Sequence, residues 1–146
     1  MISTETSLYE LDLVAWCDRT GQLIREERWS EIDRENLAEE IESLGRSERR
    51  ALRSYLKVLL MHHLKWKFQP DKRTRSWEVS MRNSAREIRD LFEDSPSLRR
   101  YFSECFESCY QQAREDAAFE TSLDLSAFPQ VCPLTLKSQV EENLNL

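Results

Sequence analysis

A chain of 146 residues with a net charge of −6 is long enough to bury one hydrophobic core without a disulfide or metal staple, so a single domain over 1–146 is the expected organisation. Two glycines and four prolines are too few for a loop-rich β-sandwich or a glycine-loop nucleotide fold, whereas abundant Leu, Glu, Arg and Ser suit helices and their caps. No window approaches roughly 18 uninterrupted apolar residues, the N-terminus lacks a signal-peptide layout, and the four cysteines show no CxxC; a membrane span and a secreted disulfide scaffold are thereby excluded, and a cytoplasmic protein with reduced thiols is expected.

In chain order the pattern predicts an all-α bundle of four main helices. Thr6 or Ser7 can cap the first, about 8–28, in which Leu8, Leu11, Ala15 or Trp16 and the Leu23/Ile24 pair recur at helical spacing and Gly21 is a weak point. Asp33 is a good N-cap for the second, 33–68, whose stripe runs Leu37, Ile41, Leu44, Glu48, Leu52, Tyr55 or Leu56, Leu59, His62 or His63, Trp66. At 1.5 Å per residue it spans roughly 54 Å. Gly45 is its one plausible break, but no Pro follows and no capping box restarts the chain, so a continuous helix, straight or bent, is favoured. Val58–Met61 and Leu64 are apolar on nearly every side and mark the centre of the bundle.

Pro70 and Asp71 interrupt the pattern before a third helix, 75–93, with Trp77, Met81, Ala85, Ile88 and Leu91/Phe92 on one face and Arg82, Arg86 and Arg89 on the other. Asp94 or Ser95 caps a fourth, 96–120, with Leu98, Tyr101/Phe102, Cys105/Phe106, Cys109, Ala113 and Ala117 turned inward. The tail reads as irregular around Pro129 and Pro133, with a short terminal helix over Leu134–Glu142.

Charge is unevenly spread. Residues 1–45 carry four basic and twelve acidic side chains, 46–100 fifteen and seven, and 101–146 two and eight. A +8 middle between arms of −8 and −6 predicts either a basic face for an anionic partner or acidic and basic helices packed against each other.

The strings Asn36 to Glu48, Leu59-Leu60-Met61-His62-His63-Leu64-Lys65-Trp66 and Arg75-Ser76-Trp77 resemble the domain-of-unknown-function 29 family of bacterial, notably cyanobacterial, proteins. So do Tyr9-Glu10-Leu11-Asp12 and Phe128-Pro129-Gln130-Val131-Cys132-Pro133. The resemblance covers nearly the whole chain. It implies an all-α bundle and no particular reaction, cofactor or site residue. One departure is His63, where the family pattern leads us to expect an apolar residue.

Several constellations bear on chemistry. Adjacent His62 and His63 point about 100° apart on a helix and cannot ligate one metal, and no Glu-x-x-His sequence accompanies them, so no metal and no cofactor are expected. His62 falls on the buried stripe with Tyr55 and Glu48 as its polar company, which makes these three a candidate polar core site; a metal-assisted hydrolase around His62 is the most remote of the functional readings. Cys105 and Cys109 share an apolar face and read as core thiols, since nothing nearby in sequence would activate either. Glu39, Glu40 and Glu42, followed by Arg46, Arg49, Arg50 and Arg53, form a solvated charged face, in which Glu42 and Arg46 are spaced for an i, i+4 pair.

The turn between the second and third helices carries Lys65, Lys67, Lys72, Arg73 and Arg75 interleaved with Trp66, Phe68 and Trp77, a mixture able to grip phosphates and stack bases. Both tryptophans also lie on apolar stripes, so the simpler expectation is a structural anchor with lysine stems laid over it. No catalytic motif appears, which inclines the reading against an enzyme. The leading expectation is a non-catalytic protein-interaction module using segregated acidic and basic surfaces, its partner another protein or a second copy. Nucleic-acid or phosphate binding through the Lys65–Arg75 turn is the alternative, and no membrane partner is expected.

Overall fold

The computed structural model describes residues 7–146. Their regular structure is helical: α1 (Leu8–Leu11), α2 (Leu13–Arg25), α3 (Arg34–Phe68), α4 (Arg75–Asp94), α5 (Leu98–Thr121) and α6 (Leu134–Asn143), with single 3-10 turns at Trp29–Glu31, Pro70–Lys72 and Leu125–Ala127. The protein is thus all-α, with no strand among the described residues. No helix among them is long and apolar enough to cross a membrane. Two compact units are distinguished, Met1–Arg46 and Ser47–Leu146, and the boundary falls within α3.

In the first unit the expected single helix over 8–28 is two helices. Asp12 is extended (φ −154°) and its carboxylate accepts from the Ala15 N–H at 3.0 Å, so it closes α1 and caps α2. An Asp satisfying a helix's orphan donors outcompetes the continuous ladder that periodicity alone suggested. Ser7 caps α1; Thr6, the other expected cap, lies outside the described residues. Gly21 stays helical.

α2 stops at Arg25 rather than at 28 through a six-residue reversal. The Arg28 N–H reaches the Leu23 carbonyl (2.9 Å) and the Glu27 N–H that of Ile24 (3.0 Å), with Glu27 left-handed at φ 59°. That position normally falls to glycine, because a Cβ there crowds the following carbonyl. Glu27→Gly is therefore expected to raise the unfolding free energy by about 0.5–1 kcal/mol, net of the extra unfolded-state entropy of glycine, as a higher urea midpoint. A lowered midpoint would contradict the strain.

Behind the reversal, Arg28 clasps Glu31 with two N–H groups and Glu26 with a third. These ion pairs hold the carboxyls of Glu31 and Glu26 below their ordinary range. Tyr9 packs edge-on to Trp16 (4.9 Å between centroids) and donates its hydroxyl proton to Glu40, which pushes the phenol up to about 12. Trp16, Thr20 and Leu23 are the buried residues of α2. Asp33 caps α3 as expected, accepting from the Asn36 N–H at 3.2 Å, and α3 runs unbroken through Gly45.

In the second unit α3 contributes Leu52, Leu56, Leu59, Leu60 and Leu64, all fully buried, to a core completed by Ile88 and Phe92 of α4, Phe102, Phe106 and Tyr110 of α5, and Leu136 and Val140 of α6. Thr74 caps α4 through the Trp77 N–H. Ser95, expected to open the fourth helix, instead closes α4, and α5 begins after Ser97, which makes no side-chain capping bond. Although the tail is irregular, its backbone is held by α5: the Tyr110 hydroxyl donates to the Pro129 carbonyl (2.5 Å), Gln111 to that of Gln130 (2.7 Å) and Arg114 to that of Phe128 (2.9 Å). Phe128 is buried as a result.

Candidate functional site

The five cations of the α3–α4 turn have different partners. The Lys65 stem is buried; its ammonium lies 3.1 Å from Glu120 and 4.7 Å above the Trp77 ring, so a charge deep beside the core is met by a carboxylate and a π face. Lys67 donates to the Thr135 hydroxyl at 2.8 Å. Arg73 stacks on Trp66 (4.7 Å) and gives its Nε proton to the Trp66 carbonyl (2.8 Å), one of the last-turn carbonyls of α3 that have no helical partner. Lys72 and Arg75 are exposed, the latter 3.9 Å from Glu78.

His62, Tyr55 and Glu48 are not gathered into one polar site by any hydrogen bond among the described residues. The Nδ1 of His62 lies 2.8 Å from the carbonyl of Val58 one turn back, Tyr55 packs at the edge of the core, and Glu48 is exposed. It is His63 that turns into a groove. Burial, with a smaller contribution from the neighbouring His62, pushes its imidazole down to about 4, so it is neutral near pH 7. This accords with a position where an apolar residue was expected.

The groove lies between α3, α4 and α6. Trp66, Met81 and the buried Ala85 give it an apolar lining. Glu78, Arg82 and Arg89 come from α4, and Asn143 from the end of α6. The volume is ≈ 360 Å³, continued by an adjoining hollow of ≈ 320 Å³ that shares His63, Trp66, Met81 and Asn143 and adds Gln139 and Glu142. Arg89 fixes the end of α6 by donating to the Asn143 carbonyl at 2.6 Å, and the Asn143 amide nitrogen sits 3.4 Å from His63 Nε2. The sequence held one signal for this site: His63 and Trp66, three apart, share a side of α3.

Cys105 and Cys109 are buried, as is Cys132. Cys109 keeps its proton, raised by the hydrogen bond with Cys105 and by burial, and burial lifts Cys132 to about 11. Among the described residues no three His, Cys, Asp or Glu side chains converge as metal ligands would.

An all-α protein with a groove lined by apolar and charged side chains is the class that fold and geometry define. The chain belongs to the family described as "Domain of unknown function DUF29", whose family model matches residues 8–144. No curated protein and no solved structure matches it.

Proposed function

We propose that the protein is a non-catalytic interaction module whose docking partner is a second copy of the chain. The observation that carries this reading is the exposure of Ile41 (60%) and Leu44 (70%) on the apolar stripe of α3, while Leu52, Leu56 and Leu59 further along the same helix are at 0%. An aliphatic side chain left in water forgoes about 1.5–3 kcal/mol of burial, and a helical stripe of this kind is completed by another surface.

Charge supports a second copy as that surface. Residues 1–45 carry −8 and residues 46–100 carry +8, equal and opposite. α4 as a whole carries four Arg against five Asp and Glu, but around its Val79, 45% exposed, the exposed Arg75, Arg82 and Arg86 outnumber Glu78. A head-to-tail contact of the Ile41–Leu44 stripe with this face of another molecule pairs acidic with basic surroundings and covers aliphatic groups on both sides.

Sedimentation equilibrium over a range of protein concentrations tests it. Association at low salt that weakens as salt screens the charges, and that is lost in both Leu44→Asp and Arg86→Glu, is the expected result. A monomer at every concentration in low salt, or an association indifferent to both substitutions, would overturn it. If Leu44→Asp alone abolishes association, the stripe meets a surface other than α4 and the head-to-tail arrangement is wrong.

A further inference from the structure

The groove between α3, α4 and α6 has a use separate from docking. We infer that it binds a small organic monocarboxylate with a planar apolar body. Its lining sets the body: Trp66 presents an indole, Met81 a polarisable thioether that adapts to ring edges, and Ala85 leaves room between them. The volume of ≈ 360 Å³ lies in the lower part of the small-molecule range.

The α4 side sets the charge. Arg82 makes no ion pair among the described residues, while Arg89, tied to the Asn143 carbonyl through one nitrogen, keeps its remaining donors. A guanidinium presents a planar fork that matches a carboxylate with two parallel hydrogen bonds. Glu78 and Glu142 at the edges oppose a second negative charge, so phosphate monoesters and dicarboxylates fit less well. Also in the lining, neutral His63 and the Asn143 amide offer a donor and an acceptor to a polar substituent without adding charge.

The probe is 3-phenylpropionate, titrated into the full chain near neutral pH and followed by amide and indole NMR shifts. Saturable shifts at His63, Trp66 and Asn143 are expected. Binding should weaken by about tenfold or more in Arg82→Ala, a loss of one charge-assisted contact. The uncharged 3-phenylpropanol should lose as much, and Met81→Trp, which fills the groove, should abolish the shifts. Arg100→Ala, at an exposed position of α5 that does not line the groove, should bind as the parent does. Linear, non-saturating shifts, equal binding of acid and alcohol, or full affinity in Arg82→Ala would each overturn the inference. Because Arg82 is exposed and makes no ion pair among the described residues, its substitution leaves the fold intact, which the spectrum itself verifies.

Discussion

Lowering the pH from 6.5 to 4 is expected to remove about 3 kcal/mol of folding stability through His63 alone. Its imidazole titrates near the ordinary 6.5 when unfolded and at about 4 when folded, since burial disfavours the cation. Between those values the unfolded chain binds the proton and the folded chain does not. Stability is therefore fully present above pH 6.5 and drains away as the pH falls towards 4. Each unit of separation is worth about 1.4 kcal/mol, which sets the size of the effect. Carboxylates also titrate in this window, so the measurement is a difference: urea unfolding of the parent and of His63→Leu at several pH values. The variant should gain on the parent as the solution becomes more acidic. A difference that stays flat from neutral pH to 4 would mean that the imidazole is hydrated in the folded state.

That His63 rather than His62 lines the groove was beyond the reach of periodicity. A stripe followed from Leu44 fits either position, because 3.6 residues per turn lets the buried line drift across neighbouring residues, and only contact with α4 and α6 fixes the rotation of α3. The same limit applies to Lys65. Counted among the cations of the turn, it is one whose stem is buried because Trp77 and Glu120, distant in sequence, close over it. Signals held within a few residues were legible: Asp33 as a cap, the unbroken passage through Gly45, the start of α4 after Thr74. Asp12 was misread because a mid-pattern Asp is compatible with a helix interior, and its role as a cap shows only in the backbone it adopts. Glu27 carries no residue signature at all for a left-handed turn, a place that glycine usually marks.

Periodicity reports which side of a helix is apolar, not what covers it, and α3 makes the distinction measurable. Leu56→Ala is expected to cost about 2–5 kcal/mol, since the side chain is fully buried and the cavity left behind cannot be refilled by the interlocked leucines around it. Ile41→Ala, on the same helix and the same stripe, is expected to stay within about 0.5 kcal/mol in dilute solution, because the residue is already in water. Concentration separates the readings further. If the stripe docks on a second copy, the melting temperature of the parent rises with protein concentration by mass action, and Ile41→Ala flattens that rise while Leu56→Ala lowers the whole curve and keeps its slope. Thermal melts of the three proteins across a wide concentration range would show it. A large, concentration-independent loss in Ile41→Ala would place Ile41 in a folded core of the single chain and remove the basis for docking.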